Sequence, residues 1–225
     1  EPTLLTFDEA GTLFHEFGHA LHALLSKVEY RSQSGTSVPR DYVEFPSQVM
    51  ENWMTQPDVL AHFAKHYQTG EVIPQSLVDK IRAASKFNQG FATVEYMAAT
   101  KLDLDWHSSS VTEPQDAAAF EQQSLSKMGL LPEIAPRYRS TYFSHIFSGG
   151  YSAGYYSYIW SDILGADAFE AFKENGIFDP ATAKAFRSNI LERGGSEDPM
   201  ALYKAFRGQE AAIEPLLRSR GLLAE

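Results

Sequence analysis

The chain has 225 residues, a formal net charge of −10 at neutral pH and no cysteine. That length holds one domain or one and a half around a sizeable core, and the acidic balance disfavours nucleic acid and anionic membrane surfaces as partners. Without cysteine there is neither a disulfide nor a thiolate metal site, which leaves the redox compartment open.

The first predicted element is a helix carrying His15-Glu16-Phe17-Gly18-His19. Positions i and i+4 share a helix face, so His15 and His19 can close on one zinc ion. Glu16, beside the first imidazole, is the expected general base towards an attacking water. A chance match on a solvated helix is the alternative. Against it, Leu13, Phe14, Phe17, Ala20, Leu21, Ala23, Leu24 and Leu25 make this helix apolar over most of its surface, so it is expected to be buried. Buried imidazoles need partners, and a metal supplies them. Gly18 weakens a helix interior and is expected to serve close packing or access. A third histidine six residues after His19 would fall at Leu25, which excludes that ligand pattern. His22 lies two turns from His15 and is expected to contact substrate, to support a ligand, or simply to pack.

A modest strand is predicted at 28–31, pairing near 38–43. Residues 41–53 then read as a loop feeding a helix, with Pro46 in its first turn. Glu44 and Glu51 are seven apart and can share a face. One can bind the metal while the other orients a ligand histidine. Spacing leaves the choice between them open, and both can also be mere charge at a helix start.

Further helices are predicted at 57–67, 74–86, 88–106, 116–128, 153–174, 180–193, 199–206 and 209–219, with a polar loop at 108–115 and irregular chain at 130–150. His62 and His66 repeat the histidine spacing without a glutamate and read as a solvated face. Asp103, Asp105 and His107 read as surface. The segment from His145 to Trp160 is rich in glycine and tyrosine. Gly149, Gly150 and Gly154 let a backbone approach a ligand or bend away. Tyr151 and Tyr158 are seven apart, and their phenols can donate to a developing oxyanion, with His145 as a further donor. The alternative is an aromatic core helix with its hydroxyls satisfied. The architecture predicted overall is mainly α, with at most a small β-hairpin. No run of 18 apolar residues is present, so no membrane span is expected.

The pairing of His15-Glu16-Phe17-Gly18-His19 with Glu44-Phe45-Pro46-Ser47-Gln48 resembles the thimet oligopeptidase family of zinc peptidases. The Ser34-Gly35-Thr36 loop, the Gly/Tyr segment and the closing Arg193-Gly194-Gly195-Ser196-Glu197-Asp198 and Phe206-Arg207-Gly208 stretches are similar as well. The resemblance implies one Zn2+ held by His15, His19 and Glu44, with Glu16 as base. It leaves Glu51 to orient a ligand, Tyr158, Tyr151 and His145 to act in catalysis, and Gly149, Gly150 and His22 to meet substrate. It also implies a zincin-like helical domain forming one half of a deep channel that admits short, unfolded peptides. Pro39-Arg40-Asp41-Tyr42 and Pro136-Arg137-Tyr138-Arg139 look most like the bacterial peptidyl-dipeptidase branch, which removes C-terminal dipeptides. The branch that cuts internally in short peptides is the near alternative, and a non-catalytic zinc scaffold or peptide binder is the alternative from another class.

Family members are several times longer, with a large helical region upstream. Residues 1–225 are therefore expected to be the C-terminal part of a catalytic domain, to lack one channel wall and to have weak activity or none alone. The relatives implied work inside the bacterial cell. The expected compartment is the cytoplasm, with the periplasm as alternative, since an export signal upstream would leave no trace here.

Overall fold

The computed structural model describes residues 3–223, and these are mainly helical. In chain order the helices are α1 (Phe7–Leu24), α2 (Arg40–Val43), α3 (Phe45–Glu51), α4 (Pro57–Phe63), α5 (Gln75–Ser85), α6 (Gln89–Ser108), α7 (Ala117–Lys127), α8 (Ser144–Phe147), α9 (Ser157–Asn175), α10 (Pro180–Phe186), α11 (Pro199–Arg207) and α12 (Glu214–Ser219). A π-turn at Arg187–Leu191 extends α10. None of these helices is long and apolar enough to cross a membrane.

The helices predicted at 74–86, 88–106, 116–128 and 199–206 agree with α5, α6, α7 and α11 to within two residues. Three others are shorter than the periodicity implies, each for a local reason. α4 stops at Phe63 because the chain folds back, with the His66 N–H donating to the Glu71 carbonyl at 2.8 Å. α9 starts only after a turn in which the Gly154 N–H reaches the Tyr151 carbonyl at 2.8 Å. α12 waits for Pro215 in its first turn.

The predicted strand pairing is absent. No strand occurs among the described residues, and the only bridge there is the isolated pair Lys65 and Val72. Residues 31–33 form a 3-10 turn, and Pro39, which precedes α2 as its N-cap, has no N–H to offer a ladder. The segment bonds instead to the distant turn after α10. The Lys27 N–H donates to the Glu192 carbonyl and the Gly195 N–H to the Gln33 carbonyl, each at 2.8 Å. The closing Arg-Gly-Gly stretch thus anchors the loop between α1 and α2.

The chain divides into two compact units, Glu1–Phe87 with Ile159–Glu225, and Asn88–Tyr158. The core of the first gathers Tyr42, Phe45 and Val49 with Leu164, Phe169 and Phe172 of α9, Phe186 and Ile190 of the next helix, and Leu202 and Tyr203 of α11. Trp53 seals it, its ring 4.7 Å from Phe169 and 4.6 Å from Phe172, with its indole N–H donating to the Ile177 carbonyl at 3.0 Å. In the second unit α6 packs on α7, with Trp106 stacked on Phe120 at 3.7 Å. Ala99, Phe143, Ile146 and Tyr155 form the core there.

α1 begins at a reciprocal cap. The Glu9 N–H donates to the Thr6 hydroxyl at 3.2 Å and the Thr6 N–H to the Glu9 carboxylate at 2.7 Å. The expectation that α1 is buried is corrected. Gly18 and His22 are its buried residues, while Leu13, Phe17 and Leu24 are exposed, Leu24 by 76%. The stripe against α3 and the turns at 52–55 and 187–191 is covered, and the opposite face is left open.

Gly18 makes that packing possible. A Cβ there would lie 2.5 Å from Ser47 Cα and 3.0 Å from the Pro46 carbonyl oxygen, both backbone atoms. The expected consequence of Gly18→Ala is a stability loss of about 1–3 kcal/mol from overpacking. Zinc affinity should weaken with it, because α3 must retreat from α1. Thermal unfolding and zinc titration check both; unchanged values would mean that the helices separate without cost.

Candidate metal centre

The metal-centre residues meet where α1 crosses the α2–α3 junction. His15 and His19 stand one turn apart on α1, their rings edge to face with centroids 4.9 Å apart. Glu44 lies between α2 and α3 and is 4% exposed. Its Oε2 is 3.2 Å from Nε2 of His15 and 3.2 Å from Nε2 of His19. The ligand atoms of these three residues all lie within 4.8 Å of one another. The Ser47 hydroxyl donates to the Glu44 main-chain carbonyl at 2.8 Å, fixing the turn that presents the carboxylate.

Glu51, one helix further on, takes the other side of His15. Its Oε1 lies 2.6 Å from His15 Nδ1. A carboxylate there accepts from the Nδ1–H and turns Nε2, the nitrogen a metal would take, towards Glu44. The two glutamates that spacing could not separate therefore occupy different positions around one imidazole. Burial opposes charge on His15, but the carboxylates of Glu44 and Glu51 outweigh it and hold its pKa up to about 10. The pocket favours positive charge, as a cation site must.

These donors fit a zinc ion. Two imidazole nitrogens and one carboxylate oxygen are the protein donors that catalytic zinc takes. Glu16 follows His15 directly and is exposed.

His22 does not join this group. It is wholly buried, and neither ring nitrogen has a hydrogen-bond partner among the described residues. Burial, and then the nearby His19, push its pKa down to about 4, so the ring is neutral. Of the roles expected for His22, packing is the one that a wholly buried ring fits. His62 and His66 also stay apart from any cluster. α4 ends between them, and His66 Nδ1 accepts the Thr69 N–H at 3.2 Å.

The second unit gathers the Gly/Tyr residues. Tyr151 and Tyr158 stack with centroids 5.1 Å apart and planes 15° from parallel. The His145 ring lies 6.2 Å from Tyr151 and 6.4 Å from Tyr158, and Tyr138 packs on it at 5.0 Å. Gly149 and Gly150 are exposed, and Gly150 has φ +81°, a conformation natural only to glycine.

Asp103 overturns its reading as a surface residue, while His107 is exposed as expected. Asp103 is fully buried, and His107 Nδ1 lies 2.8 Å from its Oδ1. The available signal was the helical spacing Tyr96, Asp103, His107, which puts three polar groups on one face of α6. Asp105, by contrast, turns to Lys101 and to the Ser124 hydroxyl.

Helices that set two histidines and a buried glutamate around one point define a mainly α-helical protein with the donor set of a mononuclear metallohydrolase. The sequence matches Peptidase family M3 over residues 1–222. The chain belongs to that peptidase family. It is 48% identical over 224 residues to Dipeptidyl carboxypeptidase of Escherichia coli (strain K12), an alignment covering 99% of this chain and 33% of that protein. It is 44% identical over 228 residues to Oligopeptidase A of the same strain, again 99% and 33%. Thimet-like oligopeptidase of Dictyostelium discoideum is 33% identical over 223 residues, covering 98% of this chain and 33% of the relative. The chain thus spans about a third of the length of the curated relatives it matches.

Proposed function

We propose that the full-length protein is a zinc peptidase that removes dipeptides from the C-termini of short, unfolded peptides. The observation that carries this reading is the convergence of His15 Nε2, His19 Nε2 and Glu44 Oε2 in a chain of peptidase family M3. His15, His19 and Glu44 would hold one zinc, and Glu51 would orient His15. A bound zinc supplies Lewis acidity towards the scissile carbonyl and a lowered pKa for water.

The chain's own residues supply the rest. Glu16 takes the proton of the attacking water and passes it to the leaving amine. The Tyr158 and Tyr151 phenols donate to the oxyanion, and His145 holds the substrate. Gly149 and Gly150 let the main chain of this segment approach the peptide and shift on binding. Support for dipeptide release comes from the 48% identity to a protein named for that activity, set against 44% for Oligopeptidase A, which favours internal cleavage as the second reading. A zinc scaffold without catalysis has no use for Glu16 as a base.

The exposed apolar face of α1, with Leu13, Phe17 and Leu24, would fit a partner surface from the two-thirds of the relatives' length that this chain does not span. The proposed compartment is the bacterial cytoplasm, with the periplasm as alternative.

A digest of one defined peptide by the full-length protein, read by mass spectrometry, tests the assignment. Successive loss of C-terminal dipeptides is expected; internal fragments would move the assignment to the oligopeptidase reading. The 225-residue segment alone is expected to show weak turnover or none in the same digest. Full turnover would show that no upstream wall is needed.

A further inference from the structure

We infer that Asp103 is a positioning residue that fixes the segment between Tyr151 and Tyr158 in its working shape, an inference resting on the reading that the Tyr158 phenol acts on substrate. Asp103 is fully buried on α6. A buried carboxylate is costly unless both oxygens are satisfied. Here Oδ1 accepts the Ala153 N–H at 2.9 Å and Oδ2 the Tyr155 N–H at 2.8 Å. The His107 ring, one turn along α6, completes the shell from the side. Two main-chain amides from one turn therefore converge on one side chain, which a carboxylate can accept simultaneously and an amide or hydroxyl cannot in the same way.

The turn so held is not a relaxed one. Ala153 has φ +53°, in the left-handed region that residues with a Cβ avoid. Its own N–H is one of the two that Asp103 binds, so the carboxylate offsets that conformation directly. Tyr96, seven residues before Asp103 on the same helix face, donates its hydroxyl to the Tyr155 carbonyl, and its ring stacks on Tyr155 at 5.3 Å. α6 thus grips Tyr155 at both its N–H and its C=O. The stacked phenol rings of Tyr151 and Tyr158 flank this anchored turn, while exposed Gly149 and Gly150 on the other side of Tyr151 give the chain no comparable tie through a side chain. The Ser152 hydroxyl and the Tyr151 N–H tie the start of the turn back to Ile146 and His145, and α6, through Asp103 and Tyr96, holds its far end.

The test uses the full-length, zinc-loaded protein and a double-mutant cycle between Asp103→Asn and Tyr158→Phe. Asp103→Asn is expected to lower kcat by about 10- to 100-fold, the scale of a misplaced catalytic group. KM and zinc content should change little. If Asp103 works through Tyr158, the double variant is as slow as Tyr158→Phe alone, because the misplaced phenol has already been removed. Losses that multiply would overturn the inference and leave Tyr158 its role. Wild-type kcat in Tyr158→Phe would remove the underlying reading and this inference with it. Should circular dichroism show Asp103→Asn unfolded, Tyr96→Phe unties the same turn through the Tyr155 carbonyl and enters the same cycle, where multiplying losses again overturn the inference.

Discussion

Glu16→Gln in the full-length protein is expected to keep its zinc and lose peptide hydrolysis by 10²–10⁴-fold, the usual contribution of a positioned base. Glu16 follows His15 in α1, and it is exposed while Glu44 is buried. It makes no contact with either ligand imidazole of the kind Glu44 and Glu51 make, so its carboxylate is not needed to assemble the site. Glutamine preserves size and hydrogen bonding but cannot take a proton. Steady-state kcat/KM together with metal analysis separates the outcomes. Activity retained would end the general-base assignment. Zinc lost with activity would instead make Glu16 part of the binding site.

The second large effect separates the two downstream carboxylates. Glu44→Ala is expected to abolish stoichiometric zinc binding, because it removes the one anionic donor that faces both Nε2 atoms, each at 3.2 Å. Glu51→Gln is expected to weaken zinc by about 10- to 100-fold, the usual cost of losing the group that orients a ligand histidine. Its bond is to Nδ1 of His15 alone, on the side away from Glu44. Competition with a chelator of known affinity gives both numbers on one scale. The reverse order, with Glu51 the more damaging loss, would mean that the ligand set has been assigned to the wrong glutamate. Equal, small losses would mean that the cluster is not a metal site at all.

Most helices were legible because their signals are local. α5, α6, α7 and α11 each combine a 3.6-residue apolar pattern with a stop or start nearby. The predicted strand was not legible as what it is, because its partners lie more than 150 residues away in the turn after α10. α1 misled in a different manner. Apolar residues all round a helix say that many faces can be covered, not that this unit covers them, and Leu13 and Leu24 remain exposed. Asp103 was misread because alternating acids on a helix are common at the surface, and nothing near it in sequence tells of Ala153 and Tyr155 fifty residues on.

By itself the order of residues determined that His15 and His19 share a face, that Glu16 stands beside them, and that the chain is helical, since each depends only on spacing along a helix. Which carboxylate closes the cluster by contact, and which merely steadies an imidazole, was decided by tertiary packing. The bare face of Gly18 lets the backbone at Ser47 come close enough to deliver Glu44, and that approach is a property of two helices rather than of either one.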